Sequence, residues 1–265
     1  MTYQNLKLAY DGHTARVTLA RPDKLNPLDW STVRELKAAV AEIEAKPDVR
    51  FVVLTGEGRS FSAGGDLEGY LRLYREPAEF QQFLDDFHAM LTGIENARAI
   101  WIAAVNGVCV AGGIELLLAC DMAIAGQSAK ISDGHINFGQ LPGAGGSQRL
   151  PRAIGLLRAK HLMLTGEMLD AEASERWGLV TRVVADDTLL PEIDALIARM
   201  ADKSAVGLAG AKRLANMTLD TPYEEGLRRE IAFVHNYATT EPDATEGLLA
   251  FKEKRAPRFG VPRKD

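Results

Sequence analysis

The sequence predicts an α/β fold. Strands of buried type at residues 50–55, 100–105 and 121–125 alternate with helical patterns, and two of them run into glycine-rich turns. Beyond about residue 190 the strand vocabulary vanishes and helical spacing continues to residue 254, so an all-helical part follows the α/β part. The 265 residues, 46% hydrophobic and 25% charged, have the ordinary balance of a globular chain with a sizeable core.

In chain order, residues 6–10 and 15–19 form two short strands joined at Asp11-Gly12, a dipeptide suited to a hairpin. The loop RPDKLNPLDW leads to a helix that Asp29 caps, with Val33, Leu36, Ala39, Val40 and Ile43 at helical spacing. After strand 50–55, the segment GEGRSFSAGGDLEGY is rich in glycine and serine and reads as irregular. Residues 78–97 resume helical spacing, with Phe80, Leu84, Phe87, Leu91 and Ile94 on one face. Strand 100–105 runs into NGVCVAGG, and a short apolar helix from Gly113 to about Ala119 precedes strand 121–125. Past Leu141, short helices broken at Pro142, Gly155 and Gly166 surround one strand at 179–184. The expected organisation is a core at residues 1–198 and a helical C-terminal region at 199–265, the latter too short to hold much core of its own.

Charge and composition exclude several classes. A formal net charge of -5 argues against a dedicated binder of nucleic acid or of membrane surfaces. A basic cluster does exist near the C-terminus (Lys252, Lys254, Arg255, Arg258, Arg263, Lys264), where a solvated helix end and a phosphate contact both remain open readings. The start, MTYQNLKLAYDG, carries no signal-peptide pattern, and no run approaches the roughly 18 apolar residues of a membrane span, so the cytoplasm is expected. Cys109 and Cys120 lie among apolar residues without metal-ligand spacing, which implies small core residues and no metal. Trp30, Trp101 and Trp177, with His13, His88, His161 and His235, read as structural.

Two turns carry chemistry. SFSAGGD (60–66) and NGVCVAGGIE (106–115) each follow a buried strand, and their small residues let a ligand approach the backbone. The second opens a helix, whose free N–H groups and dipole favour negative charge. Neither matches a phosphate-binding fingerprint, so an oxyanion is the better guess. Glu115, three residues after Gly112 in an apolar helix, is costly there unless paired or facing a cleft. Its pKa is expected to rise, as suits acid–base work.

These blocks resemble the crotonase superfamily, the enoyl-CoA hydratase/isomerase family. The similarity runs through RPDKLNPLDW, FSAGGDL, AVNGVCVAGGIELLLACDMAIA, LPGAGGSQRLPRAIG, LTGEMLDAEASERWGLV and EGLLAFKEKRAPRF, nearly the full length. It implies a crotonase-like spiral of ββα units with a helical C-terminal trimerisation region, assembled as a homotrimer or homohexamer. It implies an acyl-CoA substrate, coenzyme A being part of that substrate rather than a separate cofactor. The N–H groups of Ala63 and Gly112 would hold the thioester oxygen, Glu115 would be the first catalytic glutamate, and Gly143 would help place the reacting water. Gly65, Asp66 and Leu67, with Ala63, would meet the adenine edge. Lys24, Leu25 and Pro27 would cover nucleotide and pantetheine, the proline standing where relatives usually have alanine. Phe251 and Lys254 would reach the nucleotide, the lysine near its phosphates.

The departure is at position 135, where hydratases of this family carry a second glutamate and this chain has His135. A carboxylate and an imidazole attract, which favours Glu115 ionised and His135 protonated. Asp133, two residues earlier, lies on the same face if the segment is extended and would orient the ring. Hydration of a 2-enoyl-CoA leads, with isomerisation or hydrolysis through the same enolate as the alternative. RNA binding is remote, because helix 30–46 lacks a basic comb.

Overall fold

The computed structural model describes residues 2–260, and its larger sheet begins with the expected hairpin. β1 (Leu6–Asp11) and β2 (Thr14–Leu19) pair antiparallel, with Asp11 opposite Thr14 and Gly12 at φ 55°. In α1 (Trp30–Glu44) the five apolar residues at helical spacing are all buried, and Asp29 accepts the Thr32 N–H at 2.8 Å as the cap.

From here the chain repeats a strand–strand–helix unit three times. First come β3 (Phe51–Gly56), β4 (Ser60–Ser62) and the helices α2 (Leu67–Leu73) and α3 (Pro77–Asn96). The second repeat is β5 (Ile100–Val105), β6 (Val108–Val110) and α4 (Gly112–Ala119). The third is β7 (Met122–Gly126), β8 (Lys130–Ser132), a 3-10 turn at His135–Phe138, and α5 (Gly146–Ile154). After these lie α6 (Leu156–Thr165), β9 (Leu169–Asp170), α7 (Ala171–Trp177) and β10 (Arg182–Val184). In each repeat the first strand enters a six-stranded sheet, ordered β1-β2-β3-β5-β7-β10, and the second enters a four-stranded sheet, ordered β4-β6-β8-β9. All pairings are parallel except β1 with β2 and β8 with β9. The chain is thus a spiral of ββα units. Strands covered on both faces must be apolar throughout, and every residue of β5 is buried.

The small sheet is where the sequence reading falls short. GEGRSFSAGGDLEGY is not wholly irregular, since it contains β4 and the start of α2. β8 and β9 likewise leave no mark in the sequence. Strands of two or three residues show no alternation to detect, and tertiary pairing creates them. The strand expected at 179–184 shrinks to Arg182–Val184, because the Leu179 N–H closes the end of α7 on the Ser174 carbonyl at 2.9 Å instead of joining the sheet. The face of α3 also shifts. Phe83, Phe87, Met90, Leu91 and Ile94 are buried, whereas Phe80 and Leu84 are only partly so.

Asp86 fastens α3 to α1. Its carboxylate accepts the Lys37 ammonium at 2.8 Å, the Trp30 indole N–H at 2.8 Å and the Arg34 guanidinium at 3.3 Å. The Lys37 hydrogen bond and then that of Trp30 hold the Asp86 carboxyl down at about 2. The wall of the site described below is carried by this anchored helix.

The chain divides into two units, Met1–Ile193 and Asp194–Asp265, a few residues before the boundary expected at 198/199 and inside the helix α8 (Leu189–Ala201). The second unit contains α9 (Ala205–Asn216), α10 (Tyr223–Thr240) and α11 (Pro242–Glu253). Within it, the Asp243 carboxylate accepts the Ser204 hydroxyl at 2.5 Å and the Gly260 N–H at 2.7 Å, and Arg255 forks onto Glu246. Among the described residues no helix is long and apolar enough to cross a membrane.

Candidate active site

Three sequence segments far apart in the chain meet because β4, β6 and β8 are adjacent parallel strands. Ser62 is in register with Cys109, and Val110 with Ser132. The backbone therefore leaves the same edge of the small sheet at Ala63, Ala111 and Asp133. Ligands of parallel sheets bind beyond these carboxyl ends.

The first corner is built by the loop before α1. Asn26, buried and at φ 55°, uses its carboxamide three times. The nitrogen donates to the Glu57 and Ser60 carbonyls at 3.0 and 2.8 Å, and the oxygen accepts the Arg21 N–H at 2.9 Å. The Ser62 hydroxyl donates to the Asn26 carbonyl, and the Leu28 N–H donates to the Gly64 carbonyl, both at 2.8 Å. This pairing overturns one expectation. The Ala63 N–H donates to the Leu25 carbonyl at 2.9 Å and the Gly64 N–H to the Ser62 hydroxyl at 3.1 Å, so Ala63 has no amide to offer a thioester. The Gly65 amide, by contrast, has no acceptor among the described residues. A Cβ at Gly65 would lie 2.1 Å from the Tyr70 hydroxyl, so a side chain there requires the tyrosine to move.

The second corner abuts the first: a Cβ at Gly64 would fall 3.0 Å from the Gly112 nitrogen. Ala111 adopts φ 51°, ψ -119°, a conformation costing a non-glycine residue about 1–3 kcal/mol. Its neighbours enforce it. The Ala111 N–H donates to the Asp133 carbonyl at 3.0 Å, and its own carbonyl accepts the Ile114 and Glu115 N–H groups at 3.0 and 3.2 Å. The buried Gly112 N–H, at the start of α4, has no acceptor among the described residues. Buried amides are rarely left so, which makes this a place for an exogenous oxygen.

Glu115, one turn into α4, is 2% exposed. One carboxylate oxygen accepts the Ala144 and Gly146 N–H groups at 2.9 and 2.7 Å. The other faces His135 Nε2 at 3.9 Å, and His135 Nδ1 lies 3.2 Å from the Asp133 carboxylate. Asp133 reaches the imidazole by another route than the extended strand expected. Gly134 turns left-handed at φ 63°, and His135 begins the 3-10 turn. Apart from this ion pair, neither oxygen of the buried Asp133 carboxylate has a hydrogen-bond partner. Burial pushes the Glu115 pKa up, against the opposing pull of His135 and the two amides, and the net direction is upward. Burial alone would lower His135, but Asp133 and then Glu115 outweigh it, and its pKa is raised.

These groups open on a cavity of about 340 Å³. Ala63, Gly65, Leu67, Glu115, His135 and Gly143, all expected site residues, line it. The Gly143 carbonyl accepts from His88 Nε2 at 3.1 Å, so His88 supports this loop. Sequence reasoning missed Tyr70, Tyr74, Phe83, Phe138 and Gln140, which also line the cavity. Spacing alone does not separate a cavity ring from a core ring. Tyr70 is partly buried, and desolvation, with the Glu115 charge adding to it, pushes its phenol up. On the far side of Tyr70 and Phe83 a second cleft of about 260 Å³ is bounded by Asp29, Trp30, Asp66 and Arg72. Lys24 is exposed at the end of a 3-10 turn, Leu25 is left-handed at φ 61°, and Pro27 is buried beside Asn26. Phe251 and Lys254 belong to the second unit, at the end of α11, and both are exposed there. Arg263 and Lys264 of the basic cluster lie outside the described residues.

Residues 11–262 match the family described as enoyl-CoA hydratase/isomerase. A probable enoyl-CoA hydratase of Mycobacterium bovis is 39% identical over 98% of this chain and 99% of its own length. A crotonyl-CoA hydratase of Syntrophomonas wolfei is 35% identical over 98% of this chain and 99% of its own. Among solved structures, an enoyl-CoA hydratase of Bacillus anthracis superposes with a TM-score of 0.90 at 32% identity, covering 97% of this chain and 99% of that one.

Proposed function

Because this chain belongs to the enoyl-CoA hydratase/isomerase family, we propose that it adds water across the double bond of a 2-enoyl-CoA. The observation that carries this reading is a pair of acceptor-free amides at abutting corners: that of Gly65, which lines the cavity with Glu115 and His135, and that of Gly112, which follows the lining residue Ala111. As water adds at the β-carbon, negative charge grows on the thioester oxygen. Fixed amides in a water-poor site stabilise that charge by about 3 kcal/mol each.

Glu115 acts as the base. Its locked oxygen keeps the carboxylate oriented, and the other oxygen takes a proton from the water that the Gly143 amide helps to place. His135, protonated, gives a proton to the α-carbon and is held in that state and orientation by Asp133. The net result is one water divided between two carbons, with proton exchange across the 3.9 Å gap restoring the starting charges. Coenzyme A travels with the substrate, and this chemistry requires no further cofactor and no metal. The loop at Lys24, Leu25 and Pro27, the segment Asp66–Leu67, and Phe251 and Lys254 are the proposed contacts of the nucleotide part.

Self-association as a trimer or hexamer is part of the same proposal. Support comes from α10, which leaves Tyr223, Leu227, Ile231 and Val234 exposed at helical spacing. The proposed setting is cytoplasmic, with no nucleic-acid partner. The reaction is tested by following absorbance at about 260–280 nm, where the enoyl thioester absorbs, with a series of 2-enoyl-CoA esters. Loss of absorbance is expected. Unchanged absorbance with exchange of α-protons into deuterated water would instead assign isomerase or hydrolase chemistry on the same enolate, the reading that His135 favours.

A further inference from the structure

A third of the chain's phenylalanine, tyrosine and tryptophan residues line one cavity. Tyr70, Tyr74, Phe80, Phe83, Phe87 and Phe138 are 6 of its 19 lining residues, whereas aromatic residues make up 7% of the sequence. Five of them, from α2, α3 and the short link between them, form a connected array. Tyr70 and Tyr74 stack at 5.8 Å with planes 8° apart, and Tyr74 meets Phe80 edge-on at 4.9 Å. Tyr70 meets Phe83 at 5.8 Å, and Phe83 meets Phe87 at 5.7 Å. Opposite stand Phe138 and Leu141, which line the same cavity although 64% and 79% exposed, so they offer apolar surface that a guest would cover. The Tyr74 hydroxyl donates to the Gln140 side chain and ties the two walls together.

A cavity of about 340 Å³ falls at the low end of the roughly 300–1,000 Å³ that enclose drug-sized, ring-bearing molecules. A four-carbon acyl group would leave much of this lining without contact. A linear chain fills space but must freeze several torsions. A ring fills it rigidly and meets other rings in offset or edge-to-face geometry, which adds about 2- to 10-fold in affinity per ring pair beyond burial. Resting on the acyl-CoA reading above, we propose that the substrate's acyl group carries an aromatic ring on its β-carbon side, as in a 3-aryl-2-enoyl thioester.

The test uses saturated thioesters that bind but cannot be hydrated. Calorimetric titration of the full chain with 3-phenylpropanoyl-CoA, nonanoyl-CoA (equal in acyl carbon count) and butanoyl-CoA gives three dissociation constants. The ring ester is expected to bind at least about 30-fold more tightly than butanoyl-CoA and about 3-fold more tightly than nonanoyl-CoA. Phe80→Ala, at a partly exposed ring, is expected to narrow the first ratio several-fold. Nonanoyl-CoA binding as well as or better than the ring ester, or all three within about 3-fold, overturns the inference, as does no binding of any. Ring-selective binding without hydration of 3-phenylpropenoyl-CoA would leave this inference standing and remove the hydration reading instead.

Discussion

The two sides of the cavity are made in opposite ways. The polar side consists of strand ends, where directional contacts fix the functional groups: Asn26 under the first corner, Ala111 bridged to Asp133, Glu115 clasped by two amides, and His135 paired with two carboxylates. The aromatic side consists of helix faces, where rings hold one another by contact and the Tyr74–Gln140 and His88–Gly143 bonds cross to the facing loop. The difference separates chemistry from selection. Directional bonds fix atoms to the fraction of an ångström that proton transfer needs, whereas packed rings define a volume and a shape. Substitutions on the polar side are therefore expected to change kcat, and those on the aromatic side to change which thioester binds.

The largest effect is expected from Glu115→Gln, which keeps the oxygen that accepts from Ala144 and Gly146 but removes the base. Hydration is expected to slow about 10³-fold with the fold intact by circular dichroism. Retained activity would show that the carboxylate serves structure alone. His135→Gln is expected to lower kcat about 10²-fold and to alter its pH dependence. In the wild type, activity needs Glu115 ionised and His135 protonated. Both pKa values are raised, so the acid limb lies above 4.5 and the alkaline limb above 6.5. The alkaline limb is expected to vanish in His135→Gln, and its persistence would point to another group.

Asp133→Asn leaves the shape but removes the charge paired with the imidazole. A loss of about 10-fold is expected, with the alkaline limb moving to lower pH as the imidazolium loses its partner. An unmoved limb would leave Glu115 alone responsible for the raised His135. Smallest is Leu141→Ala on the aromatic side. With crotonyl-CoA, kcat is expected to stay within about 3-fold, and the change for bulky esters to appear in KM. A uniform fall in kcat would break the division between the two sides.

The polar side was largely legible in the sequence because glycine-rich corners and a glutamate in an apolar helix are uncommon enough to stand out. Even so, the amide was placed two residues early. Which N–H of SFSAGGD remains free depends on the Leu25 carbonyl, which only the fold brings there. The ββα spiral was legible through its long strands but not through β4, β8 and β9, whose two or three residues carry no periodicity. The aromatic side was legible only as a helix. Phe80 and Phe87 share the spacing of Leu91 and Ile94, and nothing local says that the first pair meets a cavity and the second a core. Tyr70 and Tyr74 lay in a stretch that reads as loop up to the former.

The central claim is that the thioester oxygen is held by the amides of Gly65 and Gly112. Infrared difference spectroscopy of a bound enoyl-CoA, isotopically labelled at the thioester carbonyl, measures this directly. Two strong donors weaken the C=O bond, so the labelled band is expected at clearly lower frequency than in solution, and Gly65→Ala, which drives a Cβ into Tyr70, is expected to reverse much of that displacement. A band at its solution position in the wild-type complex would contradict the account.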